Sequence, residues 1–280
     1  MKKDRPTQQL TFCSRGRLHH FDRPIVMGIL NLTTDSFYDG GRYTDTDSII
    51  ERAETILKEG GDIIDIGAVS TRPGAKLLPP EEEASRLSQA VALVRQHFPD
   101  AILSADTCYS KPARQAIESG ADIINDISGG QFDPEMFDTV AQLQVPYILS
   151  HTQGTPDQMQ QNCNYGCIVD DLIKYYSSRL STLHKMGVKD IWLDPGFGFA
   201  KTLEQNHELL DRLDELTSLF REPFLVGVSR KSMIYKKLNC TPEESLNGTT
   251  VLNTKALLCG ALILRVHDVK EAKEAIELTV

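Results

Sequence analysis

Ala101-Ile102-Leu103-Ser104-Ala105-Asp106 is a short, near-continuous apolar run that ends in a carboxylate. A strand with one wet face alternates apolar and polar residues. This run does not, so it reads as a strand covered on both sides, the habit of parallel sheets. The same pattern recurs at residues 25–30, 63–66, 123–124, 146–149, 191–193, 224–228 and 261–266, which makes eight strand candidates with helical segments between them. Crossovers between parallel strands are helical and right-handed, and eight such strands can close on themselves. The expected fold is therefore α/β, a (β/α)8 TIM barrel, with an open doubly wound sheet as the alternative.

The intervening segments have helix punctuation. Ile49, Ile50, Ala53, Ile56 and Leu57 share one face, and Gly60 or Gly61 ends that helix. Pro80 precedes an acidic first turn at Glu81 to Glu83. Asp133-Pro134 reads as a cap with proline at the first helical position, and Asp268 with Glu271 as a capping box. Leu209, Leu213, Leu216 and Phe220 form an amphipathic stripe that would pack on the barrel. Residues 10–24, centred on Arg15-Gly16-Arg17, suggest a small hairpin plugging the barrel's bottom. The expected organisation is one domain over 1–280, with residues 1–23 as N-terminal extension and 24–280 as barrel.

Composition narrows the function. The 280 residues carry 30 Lys+Arg against 39 Asp+Glu, a net charge of -9, which argues against nucleic acid as a partner. No apolar stretch reaches the roughly 18 residues a spanning helix needs, so no membrane partner is expected. Residues 1–10 lack the apolar core of a signal peptide. The six cysteines are scattered, which suits reduced thiols in cytoplasm better than a zinc site or a disulfide framework.

Nearly every apolar run ends in a polar residue that a barrel would gather at its C-terminal rim. These are Asn31, Asp106, Asn125, His151, Asp194, then Ser229-Arg230-Lys231, and finally Arg265 with His267. Each has a plainer reading, since Asp or Asn after a strand also caps the next helix. The repetition over seven strands points to a site. Asp106, Asn125 and Asp194 can accept hydrogen bonds from the edge of a nitrogen-rich ring, while Lys231, Arg265 and His267 supply positive charge and donors for an anion. The sequence has no GxxxxGK[ST] loop, so phosphates would be held by side chains, together with a metal at Asn31.

At these residues the chain resembles the dihydropteroate synthases, folate-pathway enzymes that join a pterin to p-aminobenzoate. The matching motifs are Met27-Gly28-Ile29-Leu30-Asn31, continuing to Phe37; Ser70-Thr71-Arg72-Pro73-Gly74; Asp106-Thr107; Asn125-Asp126; His151 with Gln153 to Pro156; Asp194 to Phe199; Ser229-Arg230-Lys231; and Arg265-Val266-His267-Asp268. The resemblance implies that 6-hydroxymethyl-7,8-dihydropterin pyrophosphate condenses with p-aminobenzoate, with Mg2+ as cofactor and a homodimer as the assembly. It implies that Asp106, Asn125, Asp194, Phe199 and Lys231 bind the pterin. Asn31, Thr71, Arg72, Arg265 and His267 would hold the pyrophosphate, with Asn31 on the metal. Phe37, Thr71, Pro73, Lys231 and Ser232 would face p-aminobenzoate, the place where sulfonamides would inhibit. Asp106, Lys231, Arg265 and His267 would carry the chemistry.

Some positions depart from the family's usual pattern: Thr34, Ala68, Val69, Cys108, Tyr109, Ser150 and Thr152. None is a residue assigned to binding. Two other readings share the pterin contacts, a methyltransferase acting on a methylated reduced folate and a pterin-binding protein without catalysis. The cationic motifs after the last two strands count against both.

Overall fold

The chain enters through an antiparallel hairpin, β1 (Leu10–Ser14) and β2 (Arg17–Phe21), whose tight turn places Arg15 and Gly16 at positive φ. The computed structural model describes residues 9–32, 43–68, 78–154 and 163–279. Among them, eight parallel strands follow the hairpin: β3 (Ile25–Asn31), β4 (Ile63–Gly67), β5 (Ile102–Asp106), β6 (Ile123–Asp126), β7 (Tyr147–Ser150), β8 (Ile191–Asp194), β9 (Leu225–Val226) and β10 (Ile263–Val266). Their order in the sheet is β8-β7-β6-β5-β4-β3-β10-β9, and a parallel bridge from Leu193 to Phe224 closes the ring. The closed barrel, not the open sheet, is the architecture.

Helices lie between successive strands: α1 (Tyr43–Lys58), α2 (Pro80–His97), α3 (Ser110–Glu118), α4 (Met136–Leu143), α5 (Ile168–Lys185), α6 (Leu203–Asp211), α7 (Leu213–Leu219), α8 (Ser232–Leu238), α9 (Leu246–Leu258) and α10 (Val269–Thr279). The apolar stripes bury against the outward faces of the strands, where Ile49, Ala53, Ile56, Leu209, Leu213 and Leu216 are all sealed from solvent. Inward residues at the strand starts, among them Met27, Ile63, Ile123, Ile148 and Trp192, form a separate core. The hairpin caps this core with Leu10 and Phe12, Phe12 lying edge-on to Trp192 with centroids 5.2 Å apart. Burying side chains of this size contributes about 1.5–3 kcal/mol each. Asp122 locks the plug, accepting from Ser14 Oγ at 2.9 Å and from Arg95 Nη2 at 2.6 Å.

Several local expectations need correction. The run 224–228 supplies only the two residues of β9, because after Val226 the chain turns and Lys231 N–H donates to Val228 O at 3.0 Å. Helix α4 starts at Met136 and not at Pro134. Asp133 Oδ1 still accepts from Glu135 N in the turn that leads into it, while Oδ2 accepts from Ser110 N and Oγ at the start of α3. Asp268 forms no capping box in the described contacts; both its oxygens are taken by Arg230 at 2.9 Å. The stripe from Leu209 to Phe220 is two helices that meet at Arg212.

Candidate active site at the C-terminal strand ends

Asp106 ends β5, Asn125 lies on β6, Asp194 ends β8 and Arg265 lies on β10, so closure of the barrel brings residues far apart in sequence onto one rim. Arg265 is the hub. Its Nε donates to Asp65 Oδ2 at 2.6 Å and its Nη2 to Asp106 Oδ2 at 2.5 Å, and Asn125 Nδ2 donates to the same Asp65 oxygen at 3.1 Å. Burial alone would lower the pKa of Arg265, but Asp65 and Asp106 outweigh it and hold the guanidinium charged. Burial pushes Asp106 upward, with Arg265 pulling it back.

Lys231 reaches the rim from the loop after β9. Its ammonium donates to Phe197 O at 2.6 Å and lies 4.5 Å from the centre of the Phe199 ring, a cation–π contact. Burial pulls its pKa down to about 8, with Asp194 opposing and Arg265 adding to the fall. Gly227 lies beside both cations: a Cβ there would make only ordinary contact, 3.7 Å from Lys231 Nζ and 3.8 Å from Arg265 Cβ. Asp194 Oδ1 accepts from Gly196 N at 2.8 Å, which turns the carboxylate toward the rim, while Ser150 Oγ makes only a 3.5 Å contact to Oδ2.

His267 differs from the expectation of a cation. Burial, with Arg265 nearby, pulls its pKa down to about 4, so the imidazole is neutral at pH 7. Its backbone N–H donates to Ser229 Oγ, which also lies 3.1 Å from Nδ1; in the tautomer in which the hydroxyl donates to Nδ1, Nε2 carries the ring proton and is the donor offered to a ligand. Arg230, counted among the cations by its position, turns away instead. It grips Asp268 with both arms and the carbonyls of Pro242 and Glu243, and so fixes the loop that carries Lys231. Ser232 opens α8 one residue beyond Lys231.

Asn31 ends β3 in an exposed position, and its register partner Gly67 on β4 stands between it and Asp106 on β5. A Cβ on Gly67 would lie 3.4 Å from Asn31 Oδ1 and 3.5 Å from Asp106 Cβ. Phe37, Thr71, Arg72 and Pro73, like the departures at Thr34 and Val69, lie outside the described residues. His151 is turned to neighbouring side chains: its ring sits edge-on to Tyr175 at 4.7 Å and its Nδ1 lies 3.1 Å from Lys201 Nζ.

A family model for pterin binding enzymes matches residues 27–267. A dihydropteroate synthase from Synechocystis sp. is 44% identical over 251 residues, covering 89% of this chain and 86% of that one. One from Escherichia coli is 39% identical over 267 residues, covering 95% and 94%. The crystal structure of Yersinia pestis dihydropteroate synthase with a sulfonamide drug superposes with a TM-score of 0.88 at 38% identity, covering 96% of this chain and 97% of that one. That of the Xanthomonas albilineans enzyme with 4-aminobenzoic acid gives 0.86 at 34% identity, covering 97% of each. The chain belongs to the dihydropteroate synthases.

Within this family member, three buried residues of the site region escaped the sequence reading. Asp65 sits inside an apolar run, and a carboxylate in a strand covered on both faces was itself the signal, because it has no water to solvate it. Glu83, read as part of an acidic helix start, is instead 1% exposed and accepts from the Thr107 hydroxyl; burial pushes its pKa up to about 7. Lys201 follows the Asp194–Phe199 turn and is 2% exposed, and burial pulls its pKa down to about 7 against the pull of Asp194. Nothing in the local sequence distinguished it from a surface lysine. Among the described residues no group of three or more His, Cys, Asp or Glu is arranged to hold a metal ion.

Proposed function

We propose that the strand-end cluster is the catalytic centre of the family's condensation. The chain joins 6-hydroxymethyl-7,8-dihydropterin pyrophosphate to p-aminobenzoate, giving 7,8-dihydropteroate and pyrophosphate in folate biosynthesis. One observation carries the assignment of the pterin pocket: the buried acceptors Asp65 Oδ1 and Asn125 Oδ1 find no hydrogen-bond partner among the described residues. Leaving such a group unsatisfied costs roughly 1–3 kcal/mol. A pterin edge carries the N–H groups that would relieve both.

In this reading Asp106, Asn125 and Asp194 accept from the pterin ring, with Asp65 behind Asn125 as a further acceptor, and Phe199 and Lys231 flank it. Arg265 and the Nε2–H of His267 meet the pyrophosphate, together with Thr71 and Arg72. Phe37, Thr71, Pro73, Lys231 and Ser232 face p-aminobenzoate. The bond from the pterin methylene carbon to the pyrophosphate oxygen breaks with its electron pair leaving on oxygen. The neutral aromatic amine then forms the new carbon–nitrogen bond and loses a proton. Arg265 and His267 stabilise the leaving charge, while Asp106 stabilises the cationic pterin. No side-chain nucleophile is required.

Asn31 fits a magnesium ion, because it offers a hard oxygen at an exposed strand end beside the Arg265 cluster, and Mg2+ takes most of its ligands from phosphate and water. When bound, the ion would offset negative charge on the departing pyrophosphate. Sulfonamides are expected to compete with p-aminobenzoate, a reading supported by the sulfonamide-bound Yersinia relative. A homodimer is supported by the exposed apolar residues Leu238 on α8 and Val251 and Leu258 on α9. A cytoplasmic location fits the scattered cysteines; no described helix is long and apolar enough to cross a membrane.

The test is pyrophosphate release by purified protein given the dihydropterin pyrophosphate, with and without p-aminobenzoate and Mg2+. Release that matches dihydropteroate formation and requires the metal supports the reading. Tight pterin binding without turnover would overturn the catalytic part, and turnover in a chelator would remove magnesium from it.

A further inference from the structure

Behind the Asp194 turn lies a buried ammonium that the reaction as described does not use. Lys201 Nζ contacts four acceptors: Gly196 O at 3.0 Å, Phe199 O at 3.1 Å, His151 Nδ1 at 3.1 Å and His151 O at 3.4 Å. No carboxylate bonds it directly among the described contacts. A charge without an ion partner is costly to bury unless its hydrogen bonds are met, and here backbone carbonyls and one imidazole meet them.

The turn that Lys201 gathers is sharp. Gly196, Gly198 and Ala200 all have positive φ, at 68°, 83° and 48°, and the non-glycine Ala200 is an unfavourable occupant of that region. Asn206 holds the far side, donating from Nδ2 to Lys201 O at 3.2 Å and accepting from Gly198 N at 2.7 Å. Gly196 is gripped at both ends of its backbone, its N–H by Asp194 and its carbonyl by Lys201. The same turn supplies the Phe197 carbonyl and the Phe199 ring that seat Lys231.

We propose that Lys201 is a positioning residue for pterin recognition: through His151, Gly196 and Phe199 it sets the turn on which Asp194 and Lys231 are aimed. The inference rests on the pterin reading of the rim. It predicts separable effects, because the turn borders the assigned ring contacts while Arg265 and His267 stand on β10 and the residue after it, anchored elsewhere. Lys201→Met keeps the length and removes every donor. His151→Phe removes the Nδ1 acceptor, and His151→Asn restores an oxygen close to that place.

The experiment is calorimetric titration of each full-length variant with 6-hydroxymethylpterin and, separately, with inorganic pyrophosphate, after far-UV circular dichroism has confirmed folding. Lys201→Met and His151→Phe are expected to weaken pterin binding about ten-fold or more while pyrophosphate binding stays within about two-fold, with His151→Asn recovering most of the pterin affinity. Unchanged pterin affinity in folded Lys201→Met overturns the inference, as do equal losses for both ligands, the mark of general loosening. If Lys201→Met does not fold, the two His151 variants decide: equal pterin affinities in both overturn the inference. Failure of the parent protein to bind the pterin would overturn the underlying pterin reading instead.

Discussion

Arg265 Nη2 lies 2.5 Å from Asp106 Oδ2, so the residue assigned to the anion and the residue assigned to the ring are joined as one ion pair. Asp65, bonded to the other arm of the same guanidinium at 2.6 Å, is fully buried. One cation therefore balances two carboxylates, and the ring and anion halves of the site share it. Ligand charge at either half will be felt at the other.

Removing the cation strands both acids. Arg265→Met is expected to destabilise the fold by about 3–5 kcal/mol at pH 7, the usual cost of breaking a buried pair from one side. Because burial already pushes Asp106 upward, protonation at lower pH should soften the loss. Urea denaturation of parent and variant at pH 7 and pH 5 checks this; an equal or larger loss at pH 5 would contradict it.

Pterin affinity should fall as pH rises. Lys231 is pulled down to about 8 and Lys201 to about 7, so their charges are present below those values and lost above them. Titration of 6-hydroxymethylpterin from pH 8 to 9, above the range in which Asp106, itself pushed up to about 7, gains its charge, is expected to show the decline, and Lys231→Met should lose most of it. A flat parent profile over that range would argue that the Lys231 charge does not matter to binding.

His267 links acid to stability. Its folded pKa of about 4 lies below the unfolded 6.5, so between these values the unfolded chain binds the extra proton. Its contribution is present above pH 6.5 and is lost as pH falls toward 4, by roughly 3 kcal/mol at most. Denaturation of His267→Gln should show a shallower pH dependence in that window than the parent. Identical slopes would mean the imidazole is not buried neutral.

Gly196→Ala tests the turn itself. A Cβ there would meet His151 O at 2.0 Å, on top of a φ of 68°. A loss above ~2 kcal/mol is expected, with weaker pterin binding. Gly187→Ala is the control: its φ is 84° but nothing lies within 4 Å, so only the backbone penalty applies. Similar thermal denaturation shifts for both would show that the close approach to His151 is relieved cheaply.

The eight apolar runs, the hairpin around Gly16 and the polar residues at the strand ends were legible in the sequence, because burial on both faces and strand termination are local properties of a short segment. Asp106, Asn125, Asp194, Lys231, Arg265 and His267 could be named from position alone. What each of them touches could not. That Arg265 spends its charge on Asp65 and Asp106, that Arg230 turns to Asp268 while Lys231 faces the rim, and that His267 is neutral all depend on contacts between strands far apart in sequence. Lys201 is the extreme case: its sequence neighbours read like those of a surface lysine, and only the pairing of β7 with β8 sets it against His151 on the neighbouring strand end. Charge state and partner choice follow from burial and distance in three dimensions, and those are fixed only when the strands pair and the helices cover them.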